Sequence, residues 1–184
     1  MERSEALRLL NERIKNPRMV AHCLASEAVL RQLARFFNED EELWGLTGLL
    51  HDLDVEETNG NHEQHGNVAA DLLLAKGFPA VAVDAIRRHN ERATKEPRST
   101  LLDHALAAGE TITGLVTATT LLYPDKKVAS VKPSSVVKRM KEKSFAASVK
   151  RENIMECEQI GIPIAQFAEI AVVSMRSIAN DIGL

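Results

Sequence analysis

Leu46-Thr47-Gly48-Leu49-Leu50-His51-Asp52 is the stretch on which the reading of this chain turns. An apolar helical run ends in an adjacent imidazole and carboxylate. Such a pair can bind one or two divalent ions, because imidazole nitrogen and carboxylate oxygen both suit Fe, Mn, Zn or Co. Two neighbouring residues cannot complete a coordination shell, so other ligands must come from other segments. Upstream, Asp40 is placed to cap a helix over 43–50. Downstream, LDVEETNGN reads as a loop, with Asn59-Gly60 as its turn.

Outward from this stretch the pattern is helix after helix. One helix is expected from Glu5 to Arg13, and Asn16-Pro17 ends it. Pro17 suits the first position of the next helix, which runs to about Phe37 with apolar residues at helical spacing. Asn61 is placed to cap a helix that stops at Gly77. Pro79 opens another to His89, and ERATKEPRS is a polar loop. A long helix spans about Thr100 to Leu122 and is closed by Tyr123-Pro124. A short helix follows with Ser134 or Ser135 as cap, then a last long one from Pro163 to Ile182. No run alternates with strand period. The fold class is therefore all-α, with residues 1–123 as the core and 124–184 as a C-terminal helical extension packed on it, together one structural unit.

The composition agrees. Of 184 residues, 45% are hydrophobic and only 4% aromatic, and the abundant Ala and Leu favour helix. A chain this long buries roughly 70% of its unfolded surface and needs no disulfide to fold. The first residues, MERSEALRLL, lack the apolar run of a leader, and no stretch approaches the ~20 apolar residues of a membrane span. A cytoplasmic location with Cys23 and Cys157 as free thiols is expected. The net charge of −3 gives no general attraction to nucleic acid. Between Lys126 and Arg151 nine Lys or Arg stand against the single acid Glu142. Only one aromatic residue, Phe145, interleaves them, too few for the stacking that single-strand binding uses, so nucleic acid is not an expected partner.

Five of the six histidines lie between His51 and His104. His22 sits mid-helix in an apolar setting. His62 and His65 share the segment Asn61-His62-Glu63-Gln64-His65-Gly66, and His62 is close enough to compete with His65 for a ligand role. His89 ends an apolar helix. Glu110 is a lone acid inside an apolar helix, costly there unless paired or ligated. His62 and His104 read better as non-ligands. Asp54, Glu56 and Glu57 follow the His-Asp pair on a loop, where one is placed to act as a general acid. Arg18 lies one turn before His22, on the same face, and suits a substrate phosphate.

His22, then His51-Asp52 after LTGLL, then an acid on a later apolar helix resembles the HD-domain metal-dependent phosphohydrolases, and is most similar to short HDIG-type proteins. That family carries His, His-Asp and Asp on separate helices. His65-Gly66 followed by Ala70-Asp71-Leu72, and Ala85-Ile86-Arg87-Arg88-His89 after it, resemble elements of its binuclear branch. The resemblance implies an HD-domain helical bundle with His22, His51, Asp52, His65, His89 and Glu110 as ligands and Asp52 bridging two ions. The chain departs from the family in having Glu110 for the usual Asp, and Leu53-Asp54 where HDIG has Ile-Gly.

What the resemblance implies is hydrolysis of a phosphate ester, in a nucleotide or another small phosphorylated molecule, by water activated at one or two divalent ions (Fe, Mn, Zn, Co or Mg). Asp52, Asp54, Glu56 and Arg18 are the residues expected to act in that chemistry. The alternatives are a non-catalytic metal- or nucleotide-binding HD module, and a helical interaction protein. The expected partner is a small phosphorylated substrate and not a membrane; a homo-oligomer is left open.

Overall fold

The computed structural model describes residues 1–184, as eleven α-helices and no strand. They are α1 (Arg3–Arg13), α2 (Pro17–Phe37), α3 (Glu41–Leu50), α4 (Asn67–Ala75), α5 (Ala80–His89), α6 (Glu91–Thr94), α7 (Leu101–Thr120), α8 (Pro133–Met140), α9 (Arg151–Met155), α10 (Ile164–Ser177) and α11 (Ala179–Ile182). The chain is all-α, as its sequence indicates. No helix is long and apolar enough to cross a membrane.

Local chemistry sets the helix starts. The Asn16 side chain accepts from Arg18 N, with Pro17 in the first turn of α2. Asp40 Oδ1 accepts from Leu43 N at 2.9 Å and opens α3. Thr100 and Asp103 form a reciprocal capping box at α7. α2 packs on α3, α7 and α10, and α7 on α5, α9 and α10. α7 is buried along most of its length. The hydrophobic core is continuous from Ala6 to Met175, so the extension after Tyr123 packs into the same core as the first helices.

Some expected boundaries shift. α1 begins at Arg3. Residues 61–65 make a single turn, in which His65 N donates to Asn61 O, and do not begin α4. Gly66, at φ +90°, interrupts the chain, and α4 starts only after it. Pro133, not Ser134 or Ser135, leads α8, whose preceding residue Lys132 makes no side-chain cap. The last expected helix breaks at Ile178 into α10 and α11. The polar loop after Asn90 contains the short helix α6, capped by the Asn90 side chain.

The crossing of α2 and α3 positions the His-Asp pair. A Cβ on Gly48 would lie 2.7 Å from the Ser26 carbonyl oxygen, so only glycine lets the two backbones approach this closely. Ser26 lies one turn beyond His22, and His51 one turn beyond Gly48. The tight crossing therefore sets the two imidazoles against each other, with their Nε2 atoms 3.3 Å apart.

Gly48→Ala is expected to force α2 and α3 apart and to destabilise the protein by about 1–3 kcal/mol. Thermal unfolding measures this directly; an unchanged melting temperature would show that the crossing has slack.

Candidate metal centre

Four histidines converge from four places in the chain, and in each the Nδ1 atom is tied down. His51 and His89 follow one pattern. Each ends a helix and turns back to the carbonyl three residues earlier: His51 Nδ1 to Gly48 O at 2.8 Å, His89 Nδ1 to Ile86 O at 2.5 Å. Carbonyls of a last helical turn lack intrahelical donors, so each imidazole satisfies one of them. A carbonyl only accepts, so Nδ1 carries the proton and Nε2 is left as a lone pair.

His22 reaches the same state by a longer route. Its Nδ1 is 2.9 Å from Thr113 Oγ1 on α7, and that hydroxyl donates to Glu110 O at 2.7 Å. The hydroxyl proton being committed, Thr113 accepts from Nδ1–H and leaves His22 Nε2 free. His65 Nδ1 is 2.7 Å from Asp54 Oδ1. All four rings thus present Nε2 to a common space, as metal-ligating histidines do when a second hydrogen bond fixes the tautomer.

Asp52 lies among them. Its Oδ2 is 3.6 Å from His22 Nε2. Its Oδ1 is 3.4 Å from His51 Nε2, 3.2 Å from His65 Nε2 and 3.5 Å from His89 Nε2. Glu110 Oε2 is 3.7 Å from His22 Nε2, so the longer carboxylate in place of Asp still reaches the cluster. Two triads result, His22 with His51 and Asp52, and Asp52 with His65 and His89. Within each the ligand atoms lie within 4.8 Å of one another. Two nitrogens ~2.1 Å from one ion are about 3.0–3.4 Å apart. His22 and His51 Nε2, at 3.3 Å, and His65 and His89 Nε2, at 3.1 Å, fall in that span.

The charge balance also fits a cation. Asp52 and Asp54 are buried, Glu110 nearly so, and none pairs with Lys or Arg; their only ionic partners are imidazoles. Burial pushes the Glu110 carboxyl up. Burial drives the His51 imidazolium down to about 3, against the pull of Asp52, so its ring is neutral. Burial opposes charge on His65 too, but hydrogen bonds to Asp52 and Asp54 outweigh it and raise it to about 10. For Asp52, burial is likewise outweighed by the surrounding imidazoles, which hold it well below the usual carboxylate range. Without a metal, the His65 proton is the cation that balances the cluster.

The cluster opens into a cavity of about 280 Å³ whose only hydrophobic side chain is Val149. His62, exposed, stands on its wall, while His65 is the one inside the cluster. The opposite wall comes from the C-terminal extension, with Ser148, Lys150 and Asn153. Lys150 makes no ion pair, and the buried Asn153 Oδ1 has no hydrogen-bond partner. Neither residue is singled out by its sequence context.

Of the residues expected to act in chemistry, only Asp52 lies in the cluster, and three roles need correction. Asp54 is buried, with Oδ1 on His65 and Oδ2 accepting from Gly66 N and Ala69 N at 2.8 and 2.9 Å. Although burial opposes it, these bonds hold the carboxyl below its ordinary value. It has no proton to give; it orients His65 and caps α4. Glu56 points outside the cavity and accepts from the Asn16 and Lys15 amides at 2.7 and 2.9 Å, which hold it ionised. Arg18 lines an adjoining cavity instead. Gly66 is needed between His65 and α4 for its positive φ, and a Cβ there would lie 3.2 Å from the His89 ring. His104 is remote from the cluster and bonds Glu156.

The sequence model of one family, the HD domain, matches residues 19–119, more than half of the chain. Those residues hold all six members of the cluster. No curated protein and no solved structure matches the chain.

Two outcomes are expected. Asp54→Asn, which releases the His65 tautomer, should weaken zinc binding about 10- to 100-fold in a chelator competition; unchanged affinity would remove Asp54 from the site. Because an ion must displace the proton held at His65 up to about pH 10, zinc affinity should rise about tenfold per unit between pH 6 and 8. A flat profile would mean that His65 is not a ligand.

Proposed function

As the chain belongs to the HD domain family, a superfamily of metal-dependent phosphohydrolases, we propose that it hydrolyses phosphate esters of small molecules at this cluster. The observation that carries the reading is the set of four Nε2 atoms turned on one shared carboxylate, Asp52. A helical protein that served only as scaffold would have no physical reason to gather four imidazoles, two of them buried, with acids and leave them without Lys or Arg.

His22, His51 and Asp52 would hold one divalent ion and Asp52, His65 and His89 a second, with Glu110 beside His22. The imidazole-rich set favours Fe, Mn, Co or Zn over Mg. Such ions lower the pKa of water and offset charge on the phosphoryl oxygens. The chain's own residues do the rest. The bonds from Gly48, Ile86, Thr113 and Asp54 fix the ligand rings before substrate arrives. Lys150, on the wall of the cavity and without an ion pair, would hold a phosphoryl oxygen not taken by metal. This anion-binding role replaces the one expected of Arg18. His62, on the cavity wall and outside the ligand set, is placed to pass a proton to the departing oxygen. The overall step adds water across the ester: a new P–O bond forms, the ester P–O bond breaks, and the alcohol leaves with a proton.

The test has two parts. Metal analysis of the purified protein should give two equivalents for the six-ligand site, and one for the set of His22, His51, Asp52 and Glu110. A panel of phosphomonoesters and diesters with added Mn, Fe, Co or Mg should show turnover that falls to background in His51→Ala combined with Asp52→Ala. Full activity in that double variant would end the proposal.

A further inference from the structure

Beside the metal cavity lies a second and larger one, of about 620 Å³, in the range that small-molecule sites occupy. Its character is opposite. Hydrophobic residues such as Ala25, Ala118, Leu121 and Met175 make up just over half of its lining, and Arg18, Thr117 and Ser148 line it too. The two cavities share four residues: His22, Gly114, Ser148 and Val149. His22 turns its Nε2 to the metal cluster, and its helix continues along the apolar space. Gly114 has no side chain between the two, and a Cβ there would press on Val149 Cγ2 at 3.2 Å. Leu121, which contributes to the apolar wall, is 53% exposed. The apolar lining is therefore open to solvent and adjoins the polar site across the shared residues.

We propose that this cavity receives the alcohol part of the substrate, and that the substrate class is phosphate esters of apolar, aryl or extended alkyl, alcohols. This rests on the phosphohydrolase reading above. The phosphoryl group sits over the cluster, facing Lys150, and the ester oxygen lies at the boundary that the two cavities share. The apolar body lies against α2, α7 and α10. Hydrolysis breaks the P–O bond at the junction, giving inorganic phosphate (or a phosphomonoester, from a diester) on the polar side and the free alcohol on the apolar side. The apolar part of the lining favours an apolar body, because it removes apolar area from water.

Calorimetric titration with two non-hydrolysable probes, 1-naphthylphosphonate and methylphosphonate, in the presence of manganese(II), separates this inference from the reading beneath it. The naphthyl probe should bind at least about tenfold tighter, the effect of removing a modest apolar area from water. Ala118→Phe and Thr117→Leu, which fill the cavity from α7, should each bring the ratio towards one; either suffices if the other does not fold. Binding of both probes with a ratio near one, or a wild-type ratio kept in the folded variants, overturns the cavity assignment alone. Failure of both probes to bind overturns it together with the phosphohydrolase reading.

Discussion

Buried negative charge without a fixed cation is the constraint around which this molecule is arranged. Asp52 is buried, and its only ionic partners are His22, His51, His65 and His89. A carboxylate removed from water is stable only when paired or ligated. Lysine or arginine would supply a permanent counter-charge and close the site. Imidazoles instead supply a set of lone pairs that accept either a proton or a metal ion. Every bond that fixes a histidine Nδ1 serves that choice, because it leaves Nε2 as the atom that must find a cation.

The helical frame follows from the same requirement. The six residues of the cluster, on α2, α5 and α7, just after α3 and in the loop before α4, meet only if the helices approach closely at chosen levels. Gly48 permits the approach of α2 to α3, and Gly66 permits the chain to pass the His89 ring. Asp54 then joins three features at once, since its carboxylate orients His65 and replaces the missing side-chain cap of α4. Arg98 does comparable work at the C-terminal end of α5, where its guanidinium donates to the Arg88 and His89 carbonyls and reaches Glu156 in the extension. The position of His89 thereby depends on the C-terminal residues as well as on its own helix.

Much of this was legible in the residue pattern. Periodicity and caps locate α2, α3, α5 and α7 closely, because Asn16, Asp40 and Thr100 act locally on the next turn. The histidines and acids that meet in the cluster stand out as polar residues on apolar helices. What escaped is what depends on tertiary register. Thr113 partners a histidine 91 residues away and looks like any helical threonine. Asp54, read as a loop acid with chemistry to perform, is drawn inside by two amides and an imidazole. Lys150 lies within a basic run whose other members give no sign of which one faces the cavity. One missed signal was available: His51 and His89 both end a helix with a carbonyl three residues back, a spacing at which an imidazole can close on its own last turn.

Binding and folding need not be coupled in this design. A small domain that uses metal as its main support lacks a sufficient core. Here the core runs continuously from α1 to α10 and includes the C-terminal extension. In the absence of an ion the imidazolium of His65 lies between Asp52 and Asp54, so the cluster retains a positive charge at its centre. A proton can therefore hold the place of the metal with the ligand geometry already formed. Loading would then be an exchange of cations within a site whose rings the hydrogen bonds have already set.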